Sequence, residues 1–183
     1  MSNPFLIGQK IYLRAPEPED AEIYAISENH PEPRVTLYYA LPTTFEQQLD
    51  KIRKAVNDPN TIIFTICTIG DDVTIGTTSF VRIDWIGRMA VFYIAISQKE
   101  NWSKGYGSEA TRMMVDYAFA TLNLNRIQLH VSTENEAGVK VYQKIGFKIE
   151  GTLRQAMHHD NHYSDFYVMG ILKEDWLAIN REK

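Results

Sequence analysis

The chain has 183 residues, of which 44% are hydrophobic and 23% are charged, and its formal net charge is −4 at pH 7. A domain of this length buries roughly 70% of its unfolded surface, so residues 1–183 are expected to fold as one domain without a disulfide or a metal. The single cysteine, Cys67, excludes an internal disulfide. The acidic balance argues against a nucleic-acid partner, and the lack of a long apolar run or signal-peptide pattern argues against a membrane. A cytoplasmic globular protein is therefore predicted.

Short strands and helices are predicted along the first part of the chain. Ile11 and Leu13 alternate with more polar neighbours, which predicts a strand. A short amphipathic helix is expected after Pro18, a residue that suits a helix entrance. Thr44 and Gln47 have the spacing of a capping box and predict the start of a second helix.

The remaining part of the chain continues this alternation. An apolar run over 90–96 is typical of a strand that is buried on both faces. In chain order, the predicted elements are strands over 62–69, 73–81 and 90–96, a helix over 110–122, a strand over 127–131, a helix over 137–145, and strands over about 147–155 and 163–172. The order βααββ followed by βαβαββ predicts a mixed α/β (α+β) domain around one twisted sheet.

The segment between strand 90–96 and the following helix contains Gly105 and Gly107. A helix N-terminus exposes unpaired amides and the positive end of the helix dipole, which together bind anions. The two glycines allow the backbone to approach a phosphate without an intervening Cβ, and Lys104 adds positive charge. The spacing alone is equally compatible with a helix that simply starts after a glycine turn. A P-loop and a dinucleotide-binding Rossmann motif are both absent from the sequence.

Five motifs occur in a fixed order: Trp102-Ser-Lys-Gly-Tyr-Gly-Ser-Glu-Ala110, Leu124-Asn-Arg-Ile127, Glu134-Asn-Glu-Ala137, Val141-Tyr-Gln-Lys-Ile-Gly-Phe147 and Glu150-Gly-Thr-Leu-Arg154. Together they resemble the GNAT superfamily of acetyl-CoA-dependent N-acetyltransferases, and within it the subgroup of ribosomal-protein N-terminal and spermidine acetyltransferases. The resemblance implies a central twisted mixed sheet with flanking helices, in which two parallel strands splay apart after a bulge.

The resemblance also implies a site for acetyl-CoA as co-substrate, and no metal. The backbone of Ile94, Ala95 and Ile96 would hydrogen-bond the pantetheine arm like an added strand, and Asn135 would cap a helix and contact the same arm. The pyrophosphate would be held by backbone amides of the loop residues Trp102, Ser103, Lys104, Gly105, Tyr106 and Gly107. The family has Gln or Arg where this chain has Trp102, a departure of small consequence where backbone amides do the binding.

Tyr142 stands at the position of the family's general acid. It follows Asn135 by seven residues and so lies on the same helical face about two turns on. A phenol with a pKa of about 10 stays protonated at neutral pH and can give its proton to the departing CoA thiolate. The alternative interpretation is an ordinary half-buried aromatic residue.

The general base of many relatives is a strand glutamate, and Val91 replaces it here. Neutralising a lysine-like amine at pH 7 costs about 4–5 kcal/mol, whereas an α-amine costs only about 1 kcal/mol. The missing base therefore favours an α-amine acceptor or a water relay. Glu28, His30 and Glu32 are candidate replacements.

Three functions stay open at this point. The first is transfer of an acetyl group to a protein N-terminus or a small-molecule amine, and the second is acetylation of spermidine or another polyamine. The acidic segment 17–32 suits a polyamine, although carboxylates at a helix start are commonly just solvated. The third is a non-catalytic acyl-CoA sensor. A homodimer or larger homo-oligomer is expected by analogy with relatives.

A histidine cluster offers the only suggestion of a metal site in the sequence. His158, His159 and His162 fall in a predicted hairpin turn without a supporting cysteine. We expect a solvated turn there and no bound metal.

Overall fold

The computed structural model describes residues 1–31, 39–159 and 161–181, in which eight strands form one mixed sheet. The sheet order is β1-β2-β3-β4-β5-β6-β8-β7. The strands are β1 (Leu6–Ile7), β2 (Ile11–Arg14), β3 (Ile62–Thr68), β4 (Thr74–Asp84), β5 (Met89–Ile96), β6 (Arg126–Ser132), β7 (Lys148–His159) and β8 (His162–Leu172). The helices are α1 (Asp20–Asn29), α2 (Phe45–Asn57), α3 (Tyr106–Asp116), α4 (Glu136–Ile145) and α5 (Lys173–Arg181). This architecture confirms the predicted mixed α/β fold.

Strands β5 and β6 form the parallel pair of the sheet, and every other neighbouring pair is antiparallel. The parallel register covers only Met89↔Arg126, Ala90↔Ile127 and Val91↔Gln128. Beyond it β5 continues to Ile96 while remaining paired with β4 on its other side. One edge of the second half of β5 therefore has no neighbouring strand.

The main core lies between the sheet and helix α3. Ala110 and Met114 of α3 are fully buried and belong to the same apolar cluster as Phe80 of β4 and Phe92 of β5. A tight helix–sheet contact of this kind follows from the apolar face that the sequence shows over 110–122. It holds the start of α3 beside the end of β5.

The prediction that strand 90–96 is buried on both faces is wrong for its second half. Ala90, Val91 and Phe92 are buried, but Tyr93 is 50% exposed and residues 94–96 are only half-buried. The reason is the loss of β6 as a neighbour, which opens this end of the strand.

Strand β2 and helix α1 are joined by a buried ion pair. Arg14 donates two hydrogen bonds to Asp20, at 2.7 and 2.8 Å, and both residues are less than 10% exposed. Burial raises the pKa of the Asp20 carboxyl, but the hydrogen bonds that it accepts outweigh burial and lower the pKa below its ordinary value. Thr65 of β3 also donates to Asp20 at 2.8 Å and lies 2.7 Å from the hydroxyl of Tyr24. The network fixes α1 on the first strands of the sheet.

Two elements were not predicted, β1 and α5. Helix α5 starts directly after β8 with no glycine or proline between them, so the sequence contains no boundary signal. Trp176 of α5 donates to Asp116 at 2.6 Å and packs on Phe119 at a ring distance of 5.8 Å. In the described ranges no helix has both the length and the apolar character needed to cross a bilayer.

Candidate active site

A cleft of about 530 Å³ opens where β5 and β6 separate. Its walls are the end of β5, the loop before α3 and the first turns of α4. The lining contains every predicted site residue except Lys104. The residues brought together are Ile94, Ala95, Ile96, Trp102, Ser103, Gly105, Tyr106, Gly107, Asn135 and Tyr142.

The open edge of β5 presents main-chain groups to this cleft. The amide of Ser97 donates to Ile75 of β4 at 2.8 Å, and the Ala95 carbonyl points at Gly76 of the same strand. Because N–H and C=O groups alternate in direction along a strand, the main chains of Ile94 and Ile96 face the cleft. Of the three predicted strand residues, these two can pair with a bound ligand, whereas the Ala95 carbonyl is directed to β4.

The loop before α3 is shaped to expose amides. Gly105 has φ +87 and stands immediately before the helix, a conformation that glycine adopts without strain. The first helical amide with an acceptor inside the helix is that of Glu109, which donates to the Gly105 carbonyl at 3.0 Å. Across the described ranges, no residue accepts a hydrogen bond from the amides of residues 103–108. This row of amides at a helix N-terminus is an anion-binding geometry.

Contacts on both sides hold the loop in place. The indole nitrogen of Trp102 donates to the Ile96 carbonyl at 3.1 Å, which ties the loop to the edge of β5. On the opposite side the Glu109 carboxylate accepts from the backbone amides of Gln9 and Lys10. The Trp102 side chain thus has a local structural contact in place of the family's Gln or Arg.

Lys10 brings positive charge to the loop before α3, a contact that the sequence did not indicate. The Lys104 side chain is exposed and outside the lining, while the Lys10 ammonium donates to the Lys104 carbonyl at 3.1 Å. Lys10 lies more than ninety positions earlier in the chain, so no local pattern could pair the two. The Lys10 ammonium therefore places positive charge beside the row of free amides.

Helix α4 positions the two polar residues expected on its face. The Asn135 side chain accepts a hydrogen bond from the Gly138 amide at 2.9 Å and so caps the helix, as the family resemblance implied. The Tyr142 ring makes edge contacts with Phe92 and Phe147, at ring distances of 6.5 and 5.9 Å. Burial raises the pKa of Tyr142 to about 12. Within the part of the chain that the structure covers, no side chain or backbone group hydrogen-bonds to its hydroxyl.

The position of the family's strand glutamate holds no base in this chain. Val91 is 7% exposed and packed within the sheet. Of the candidate replacements, Glu28 lines a second cavity of about 170 Å³, whereas His30 lines a separate surface depression together with Glu22. Glu32 lies outside the described residues.

The second cavity lies across β5 from the cleft. Tyr24 and Glu28 of α1, Lys51 of α2, and Tyr39 contribute to its lining. The Lys51 ammonium donates to the Glu28 carboxylate at 2.7 Å. Ala95 lines both the second cavity and the cleft, so the two spaces adjoin at this strand residue.

The sequence missed several other residues that line the cleft. Thr111 and Ser132 add hydroxyl groups, and Glu134 and His159 add groups that titrate or bind metals. Glu134 is adjacent to the helix-capping Asn135, a proximity that could have suggested it. His159 comes from the tip of the β7–β8 hairpin, and only the sheet topology brings it here.

A family model described as an acetyltransferase (GNAT) domain matches residues 10–148. The chain belongs to this family. It is 32% identical over 177 residues to the N-acetyltransferase p20 of Bacillus licheniformis, across 93% of this chain and 97% of that protein. It is also 31% identical over 134 residues to the spermidine N(1)-acetyltransferase of Escherichia coli, across 73% of this chain and 70% of that protein.

A solved structure gives the same assignment at the level of the fold. The crystal structure of spermidine N-acetyltransferase from Vibrio cholerae in complex with CoA and spermine has a TM-score of 0.84 to this chain at 28% identity, covering 91% of this chain and 98% of that one. The predicted GNAT fold is confirmed. The protein is an acetyl-CoA-dependent N-acetyltransferase, and the acceptor of its acetyl group is an amine.

Replacing Gly107 with alanine tests the effect of this loop on CoA binding without destabilising the fold. A Cβ at Gly107 meets only the Ile96 side chain, at an ordinary 3.8 Å. We expect Gly107→Ala to leave the free energy of unfolding unchanged or raise it by up to about 1 kcal/mol, because alanine favours the helix. We also expect the Kd for CoA to rise about tenfold or more, a loss of about 1.4 kcal/mol, because the Cβ blocks approach to the amides.

The measurements are thermal unfolding and calorimetric titration with CoA. Gly151→Ala is the matched control, because a Cβ there meets no atom within 4 Å and Gly151 is outside the cleft. An unchanged CoA affinity in Gly107→Ala would remove the loop from the binding site.

Proposed function

We propose that the cleft at the open edge of β5 binds acetyl-CoA and that the acetyl group passes directly to a polyamine, which enters through the second cavity. The observation that carries this proposal is the position of Ala95, which lines both spaces. A thioester that lies along β5 in the cleft then comes within one residue of an amine on the far side. Proximity and orientation of the two substrates supply most of the rate enhancement.

The cofactor is held mainly by backbone groups in this proposal. The amides of residues 103–108 bind the pyrophosphate, with positive charge from Lys10 and Lys104 nearby. Ile94 and Ile96 hydrogen-bond the pantetheine arm along the open edge of β5, and Asn135 contacts the arm from the start of α4. Their support is the cleft geometry, in which these groups face one continuous space.

The chemical step is direct and needs no covalent enzyme intermediate. The neutral amine nitrogen attacks the thioester carbonyl and forms the new C–N bond, and the C–S bond then breaks. Tyr142 donates its phenolic proton to the departing thiolate, while the amine nitrogen releases a proton to solvent. A pKa of about 12 keeps Tyr142 protonated until that moment.

Glu28 gives the second cavity its preference for an acceptor with more than one amine. Its carboxylate holds the ammonium of Lys51 at 2.7 Å, and an acceptor ammonium can take the same place. One ammonium group of a polyamine then forms an ion pair with Glu28. Another of its amines, in the neutral form, extends past Ala95 to the thioester. The likeness to two spermidine acetyltransferases supports this choice.

A protein N-terminus is the second candidate acceptor, and one observation favours it. Val91 leaves the strand without a base, and an α-amine costs only about 1 kcal/mol to neutralise at pH 7. A peptide with a free N-terminal serine or alanine therefore belongs in every assay beside spermidine.

The Tyr142→Phe variant tests the general acid. We expect kcat to fall about 10²- to 10⁴-fold, with the Kd for CoA unchanged, since the ring and its packing remain. The pKa of Tyr142 is about 12. In the wild-type enzyme, ionisation of Tyr142 should therefore cause no loss of rate at any pH below 10. Tyr117→Phe is the control, since Tyr117 packs on Phe5 and Phe64 away from the cleft. Full turnover by Tyr142→Phe would assign the proton to another group.

The Glu28→Gln variant tests the acceptor. Loss of a hydrogen bond to a charged group should raise the KM for spermidine about ten- to a hundredfold, while the Kd for CoA and the KM for the peptide stay unchanged. Initial rates of thiol release at varied spermidine give the answer. Glu22→Gln, on the same helix but outside the second cavity, is the matched control. If the peptide is acetylated and spermidine is not, the acceptor is a protein N-terminus.

A further inference from the structure

The tip of the β7–β8 hairpin brings together three side chains with metal-binding atoms. His159 and His162 lie opposite each other in the strand register, with ring centres 4.5 Å apart. Glu134, from the turn between β6 and α4, faces them. One donor atom from each of the three residues lies within 4.8 Å of the other two. The sequence suggested a cluster of His158, His159 and His162. In the structure His158 packs on Tyr163 instead, and Glu134 is the third member of the group.

A buried serine hydroxyl lies at the centre of this group. Ser164 is 1% exposed, and its Oγ lies 3.1 Å from Glu134 Oε1, 3.4 Å from His159 Nε2 and 3.3 Å from His162 Nε2. The metal-binding atoms of all three side chains therefore lie near one hydroxyl oxygen. Two of them come from the β7–β8 hairpin and one comes from the turn before α4. The serine hydroxyl can donate to the Glu134 carboxylate, the kind of supporting hydrogen bond that ligating carboxylates receive in metal sites.

One of the three donor–donor distances equals that in a small tetrahedral site, and all three are within 4.8 Å. Ligands at about 2.0–2.1 Å from zinc in tetrahedral geometry lie roughly 3.3–3.4 Å from one another. Glu134 Oε1 and His162 Nε2 are 3.4 Å apart. Two imidazoles and one carboxylate also match the donor preference of borderline first-row metals, whereas calcium and magnesium prefer oxygen ligands throughout.

We propose that Glu134, His159 and His162 bind a divalent transition metal of the zinc class, with the fourth coordination position open. Glu134 and His159 also line the acetyl-CoA cleft. A metal here links the hairpin tip to the start of α4, directly beside Asn135. None of the three proposed ligands is a group that moves a proton in the proposed acetyl transfer, so metal occupancy can change while Tyr142 stays in place.

Titration of the full-length, tag-free protein with zinc chloride tests the proposal. Calorimetry should give one site per chain, and the thermal unfolding midpoint should rise with zinc. Cobalt chloride should produce the visible absorption bands of a tetrahedral cobalt site. His162→Ala and Glu134→Gln should each weaken zinc binding at least tenfold, and neither side chain is buried, so both variants should remain folded.

His158→Ala is the matched control, because it removes a neighbouring histidine that faces Tyr163 instead of the trio. Its zinc affinity and cobalt spectrum should equal those of the wild type. Zinc binding that is as tight in His162→Ala and Glu134→Gln as in the wild type would overturn the proposal. So would equal losses in all three variants, which indicate non-specific binding to surface histidines, or the absence of saturable binding to the wild type.

Discussion

The early separation of β5 from β6 is the constraint on which the rest of the site depends. Only three residue pairs join these parallel strands, and β5 then continues with one edge open. Backbone groups in a sheet normally find partners in the next strand. Here Ile94 and Ile96 direct theirs into a cleft, where a ligand with amide groups can take the place of the missing strand.

The packing around this opening holds two binding surfaces at fixed positions. The buried face of α3 places the helix N-terminus beside the end of β5, and the Trp102 indole ties the loop to Ile96. On the other side of β5, the Arg14–Asp20 pair anchors α1 and so positions Glu28. Catalysis by proximity requires this rigidity, because Val91 stands where many relatives carry a strand glutamate as base.

Local signals made much of this structure predictable from the sequence. The capping box at Thr44 and the cap at Asn135 are contacts between neighbouring residues, and both form as expected. The order and spacing of the motifs were sufficient to place most of the predicted residues around one cleft. The prediction for strand 90–96 was wrong at its end, because burial there depends on whether β6 continues alongside.

Contacts between distant residues were beyond the reach of sequence patterns. Lys10 reaches the Lys104 carbonyl across more than ninety positions, and Thr65 donates to Asp20 from 45 positions later in the chain. The trio of Glu134, His159 and His162 depends on the register of a hairpin and on the turn before α4. Side chains that meet through sheet topology leave no periodic or spacing signal.

Amide hydrogen exchange with and without CoA tests the central claim most directly, since the claim concerns backbone groups. We predict slower exchange for the amides of residues 103–108 and for Ile94 and Ile96 when CoA is bound, with no change in helix α5. Protection confined to other parts of the chain, with the loop and the β5 edge unaffected, would contradict the assignment of the cleft to acetyl-CoA.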